Sequence, residues 1–186
     1  MNILKTLVIL SLIFQLGGCV PSYSLVKTER INSNNTYSVY PKTSWNQLKQ
    51  DKITIWTANG VGLDRIVFIN NINDGETIFG DDKTSEYKND MSEIEIADLF
   101  MESMKNAGKW PNGNFDNLKL QKFGPFDGFN FDLILISEEG LSYKGVASGA
   151  VIKDELYLMF FLATKLHFYD SYHDKFQNII SSIKKL

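Results

Sequence analysis

Little in this chain can cross-link, ligate a metal or grip a polyanion. It has one cysteine and two histidines among 186 residues, so no internal disulfide can staple it. The histidines, His167 and His173, are six apart, whereas two rings share a helical face at a spacing of four. They read as a loop residue and a helix-start residue. The formal charge of -3 mildly repels a phosphate backbone, which argues against nucleic acid as a partner. No Gly-Lys-Ser/Thr occurs, and Gly60-Val61-Gly62 meets Arg65 where a dinucleotide loop needs glycine, so phosphate-loop readings fail. Asn71-Ile72-Asn73-Asp74-Gly75 puts isoleucine at a calcium-ligand position and reads as an Asp-Gly turn. Gly145-Val146-Ala147-Ser148-Gly149 misplaces its serine for a nucleophile elbow, which leaves Ser148 as strand filler. The acidic pairs Asp81-Asp82, Glu138-Glu139 and Asp154-Glu155 fall in expected turns, where solvation holds both members ionised instead of splitting them into acid and base. No catalytic, cofactor-binding or metal-ligating residue is assigned. Long apolar runs are also missing: Leu7 to Leu16 would span only about 15 Å as a helix, half of a bilayer core of roughly 30 Å.

That short run is informative by what surrounds it. Lys5 precedes it and Gly17-Gly18-Cys19 follows, the order of a secretory signal with its charged start, apolar centre and small residues at the cleavage point. Leu16-Gly17-Gly18-Cys19 resembles the bacterial lipobox. The resemblance implies cleavage after Gly18 and a diacylglyceryl group on the Cys19 sulfur, with the new amino group a further acylation point. Small residues suit a peptidase that needs an extended, uncrowded chain. Several acyl chains, at about 0.8 kcal/mol per buried CH₂, make such an anchor practically permanent. Residues 1–18 are thus expected to be a signal peptide and 19–36, rich in Ser and Asn, a lipidated flexible tether. By analogy with lipoprotein sorting in Gram-negative bacteria, Val20 in place of aspartate favours the outer membrane, facing the periplasm.

Residues 37–186 are expected to form one α+β domain. A short strand is expected near Tyr37 to Tyr40, and Ile53–Trp56 and Ile66–Ile69 read as a hairpin before a further strand at Thr77–Phe79. Ser92-Glu93-Ile94-Glu95 is a capping box that opens a helix to Ala107, with Ile94, Ala97, Met101 and Met104 on one stripe and Phe100 beside it. Leu118–Lys122, Phe129–Ile136, Ser142–Val151 and Glu155–Ala163 follow as an antiparallel meander. Leu156 to Leu162 is apolar on both faces, the mark of a central strand covered twice. The last helix is expected from Ser171, capped by Ser171 or Asp170, to Lys185, with Phe176, Ile179, Ile180 and Ile183 as its stripe and Lys184-Lys185 against its dipole.

The order hairpin, helix, antiparallel meander, helix resembles the PsbP-like α/β/α sandwich, also found in DcrB-like bacterial lipoproteins. The resemblance rests on the helix Ser92–Ala107, the strands Phe129–Ala163 and the helix Ser171–Lys185, and implies a scaffold that docks onto larger assemblies without a fixed activity. The expected function is a membrane-anchored envelope lipoprotein acting as a binding or accessory module, its partners being lipid, through Cys19, and another envelope protein. An envelope enzyme with a site scattered along the chain is the alternative. Phe123–Phe131 (FGPFDGFNF), with Trp56 and Trp110, is either core or a partly exposed aromatic rim that receives the partner.

Overall fold

The computed structural model describes residues 23–50, 52–80, 85–107, 110 and 112–186. The expected signal peptide, Cys19 and the Asp81-Asp82 pair lie outside them. Eleven strands and two helices are described: β1 Ser24–Val26, β2 Ile31–Asn32, β3 Tyr37–Val39, β4 Trp45–Gln50, β5 Ile53–Thr57, β6 Asp64–Ile72, α1 Glu93–Asn106, β7 Asn112–Leu120, β8 Phe129–Ile136, β9 Ser142–Ile152, β10 Glu155–Thr164, α2 Phe168–Ser181 and β11 Lys184–Lys185. Eight strands form one sheet in the order β1-β4-β5-β6-β10-β9-β8-β7, and β11-β3-β2 form a second, smaller one. Neighbours pair antiparallel in both.

Strand β10 is central, and its period of two divides the interior. Leu156, Leu158, Phe160 and Leu162 enter one core with Ile96, Ala97, Phe100, Met101 and Met104 of α1. Tyr157, Met159, Phe161 and Ala163 enter the other, with Phe176, Ile179 and Ile180 of α2 and Tyr37 and Val39 of the small sheet. The result is three layers, with the main sheet in the middle.

The capping box forms: the Ser92 backbone N–H and hydroxyl donate to the Glu95 carboxylate at 2.7 and 2.6 Å. Ile94, however, stands 54% exposed. The buried stripe is centred on Phe100, and six residues back is about 120° around the helix.

Four other stretches depart from expectation. The tether expected over 19–36 enters the fold from Ser24: Val26 pairs with Trp45 and is buried, and Ile31 pairs with Val39. Three-residue strands carry too little periodicity to read. The final helix starts at Phe168 behind His167, whose φ is 80°, while the Ser171 hydroxyl bonds back to the His167 carbonyl at 2.8 Å instead of capping. It ends at Ser181, so Lys184 and Lys185 pair with Ser38 and Tyr37. Ile183 turns in against Gly124, whose φ is 59° and where an added Cβ would meet the Ile183 Cβ at 2.4 Å. Residues 77–79 form no strand, yet Ile78 is buried in the α1-side core. Strand β7 begins at Asn112, well before Leu118, because backbone pairing with β8 needs no apolar alternation.

Candidate functional site

The densest polar cluster lies where the small sheet meets β6 and β10. Its geometry comes from a β-bulge: the pairing of β10 with β6 shifts between Leu156 and Leu158, and Asn71 takes a φ of 58°. Asparagine tolerates that conformation better than most residues. The extra residue turns Asn70 and Asn71 toward the same side. Asn70 accepts from the Tyr37 hydroxyl at 2.8 Å and donates to Ser33 at 3.3 Å. Asn71 donates to Glu155 and to the Tyr157 hydroxyl, both at 2.8 Å, and accepts from Asn34 at 3.0 Å. The Tyr157 hydroxyl donates to Glu155 at 2.5 Å and meets the Thr36 hydroxyl at 3.0 Å. Burial pushes the Tyr37 phenol well above its ordinary value. Burial first, and then the Glu155 carboxylate, pushes Tyr157 up to about 12. Both tyrosines are therefore neutral near pH 7, and what the cluster supplies is a lattice of hydrogen bonds tying β2 and β3 to the main sheet.

Asp64 is also fully buried, and its carboxylate accepts from the Ala58 and Asn59 backbone at 2.7 and 2.9 Å and from the Asn59 side chain at 2.7 Å. It closes the β5–β6 connection. Glu155 is thus the exception among the acidic pairs expected in solvated turns. Glu138 remains exposed, and Asp154 sits in a turn with φ 66°. His173 contacts Asp174 at 3.3 Å and Gln177 at 3.5 Å, and His167 stays in its loop against Phe168. Ser148 is buried in β9, as filler. Among the described residues no group of three His, Cys, Asp or Glu is placed to hold a metal.

The aromatic segment is mostly core, with Phe126 half-buried at its turn. Phe123, Phe129 and Phe131 are buried, as are Trp56 and Trp110, and the Phe129 and Phe131 rings lie parallel at 6.3 Å on one sheet face. The open apolar surface is aliphatic and lies beside that segment. A groove of about 510 Å³ runs between the first turn of α1 and the strand ends, with Met91, Ile96, Leu120, Phe129 and Val151 in its lining. Leu120 is 76% and Val151 42% exposed, and Lys122 pairs with Asp127 at its rim. A second groove of about 540 Å³, floored by Ile53, Ile69, Ile72 and Phe79, carries the Lys52–Glu76 ion pair at 2.7 Å. Both open on the α1 side of the sheet, next to strands whose inward residues reach beyond the helix. Sequence reasoning missed them because each is walled by segments far apart in the chain.

No family model matches the chain, and no curated protein matches it. Among solved structures it is similar to the cyanobacterial PsbP (CyanoP) of Synechocystis, with a TM-score of 0.59 and 12% identity, covering 92% of this chain and 99% of that one. A protein of Bacteroides thetaiotaomicron also matches, with a TM-score of 0.46 and 12% identity over 81% of this chain and 45% of that one. The first likeness shows the fold: a mostly antiparallel sheet with two helices, the PsbP-like α+β arrangement.

Proposed function

We propose that this chain is an envelope lipoprotein, held at a membrane through an acylated Cys19, and that its fold works as a binding module for another envelope protein. The lipobox-like Leu16-Gly17-Gly18-Cys19, behind a short apolar run, supports the anchor, and Val20 favours the outer membrane. The observation that carries the binding role is the groove beside α1, where Ile96, Phe129 and Val151 line a cleft and Leu120 stands almost free of cover. An aliphatic cleft with a charged rim suits an apolar side chain of a protein partner.

Intact mass measurement of the protein purified from cells tests the anchor. The expected product starts at Cys19 and carries acyl mass, and a product with Met1 and a bare thiol overturns it. Photo-crosslinking in cells from position 120 or 151 tests the groove. One envelope protein is expected to be captured there, not from a control position in the Glu138 turn, and to be lost with Val151→Asp. Equal capture at groove and control positions overturns the binding role.

A further inference from the structure

The small sheet that helps close the α2 side is basic, whereas α2 itself carries Asp170 and Asp174 against Lys175, and the segment that covers the other side is acidic. Residues 27–32, 37–42 and 182–186 make the small sheet and its turns; they carry Lys27, Arg30, Lys42, Lys184 and Lys185, with Glu29 as the one side-chain carboxylate. Residues 85–107, leading into and forming α1, carry Glu86, Asp90, Glu93, Glu95, Asp98 and Glu102 against Lys88 and Lys105.

The fold draws four of the five cations together; Lys185 pairs with the inward-facing Tyr37 and so lies on the other side of β11 from Lys184. Val39 pairs with Ile31 and Ser38 with Lys184, so the two outer strands bring Arg30 and Lys184 to either side of β3. The Arg30 guanidinium lies over Ser38, donating to its hydroxyl at 3.2 Å and to the Ser182 carbonyl at 3.0 Å. Lys42 donates to Asn178 at 2.7 Å. Lys27 leaves β1 immediately after the Val26–Trp45 pair, on the edge where the described chain begins. All five are exposed, and among the described residues none of them is in an ion pair with a carboxylate. Like charges gathered without counter-charges oppose folding unless an outside anion faces them.

We infer that the outer face of the β11-β3-β2 sheet, with its 27–30 and 40–43 turns, docks on an anionic phospholipid surface. The inference rests on the lipid anchor proposed at Cys19 and adds an orientation to it. Four residues from Cys19 to Tyr23 reach about 14 Å at most, so the start of β1 and the Lys27 turn that follows it stay close to the headgroups, where charge is incompletely screened. At that range basic residues are drawn to an anionic leaflet and acidic ones repelled. The small-sheet face turns down and α1, with its grooves, turns away from the bilayer, open to a partner.

Lysine acetylation footprinting of the protein purified from cells and reconstituted into vesicles tests this. With phosphatidylglycerol in the vesicles, Lys27, Lys42 and Lys184 should react several-fold more slowly than in phosphatidylcholine alone, while Lys88 and Lys105 keep their rates; 0.5 M salt should erase the difference. In the Lys27→Glu, Lys184→Glu variant the protection of Lys42 should vanish. Arg30 is left intact there because it also holds Ser182. Equal rates in both vesicles, or protection of Lys88 and Lys105 instead, overturn the inference. The intact mass of the same sample separates the two ideas: acylated protein without lysine protection removes only the docking face, and a bare thiol with protection removes only the anchor.

Discussion

On one face of the eight-stranded sheet a single helix, α1, lies over Leu156, Phe160 and Leu162. On the other, α2 shares the cover with strands drawn from both ends of the described chain. The α1 side is closed by one amphipathic segment whose stripe and caps are local in sequence, and it leaves two apolar grooves uncovered. The α2 side is closed by α2 together with β2 and β3 and the distant β11, with hydrogen bonds from Tyr37, Tyr157 and Arg30 joining them. One side is held mainly by packing, the other by packing plus a partly buried polar lattice. The difference teaches where each kind of damage should fall.

The largest blow is expected on the packed side. Phe100 is fully buried and its ring meets those of Phe131 and Phe160 at 5.7 and 5.2 Å. Phe100→Ala should cost about 3–5 kcal/mol, read as a lower denaturation midpoint in urea. A loss below about 1 kcal/mol would mean that α1 does not lie on the sheet as described. On the lattice side, Tyr157→Phe keeps the ring but strips the hydroxyl from Thr36, Asn71 and Glu155. The expected loss is about 0.5–1.5 kcal/mol, the range for a net intramolecular hydrogen bond, because Thr36, Asn71 and Glu155 are only half-buried. A neutral result would show that the small sheet holds its place without that lattice.

The alkaline response should also be weighted to the α2 side: Tyr87 in the α1-side core is raised by burial as well, but the large shifts are those of Tyr37 and Tyr157. Tyr157 is raised to about 12 and Tyr37 is raised too, both first by burial. Each phenol holds its proton more tightly folded than unfolded, so its contribution is complete below the ordinary tyrosine value of about 10 and declines as pH rises toward 12. Stability should therefore drop across that window, and Tyr37→Phe with Tyr157→Phe should flatten the drop relative to the parent. The Phe100→Ala variant should keep the parental slope. Equal slopes in all three proteins would remove the phenols as its cause.

How much of this was legible in the sequence follows the same division. The α1 layer could be read because Ser92, Glu95 and the stripe through Ala97, Met101 and Met104 lie within four turns, and β10 could be read from its unbroken apolar run. The end of α2 could not. Ile183 fits the helical spacing of Phe176, Ile179 and Ile180, and only Gly124 and the pairing with Ser38, both distant in sequence, pull it out of the helix. The cluster was hidden for a related reason. Asn70 and Asn71 would face opposite ways in a regular strand, and a bulge is needed before they share a side. The aromatic stretch Phe123 to Phe131 drew attention by composition, yet composition cannot distinguish rings under a helix from rings at a rim. The grooves had no local signal at all.

The smallest effect that still sharpens the contrast concerns the first turn of α1. Ser92 and Glu95 close the N-terminus reciprocally, and the Glu95 carboxylate is held below the usual range by the Ser92 hydroxyl and backbone. Ser92→Ala removes the hydroxyl and should cost about 1 kcal/mol, seen as a small shift of the thermal midpoint. Because Glu95 is depressed, the stabilisation it gives is present above its unfolded value and lost as pH falls below about 4. The gap between parent and variant should therefore narrow in acid without closing, because the bond from the Glu95 backbone N–H to the Ser92 hydroxyl does not titrate, and nothing on the α2 side should respond. A gap of unchanged size at low pH would mean that the Ser92 hydroxyl acts only by accepting from the Glu95 backbone N–H, and that the Glu95 carboxylate adds nothing to the cap.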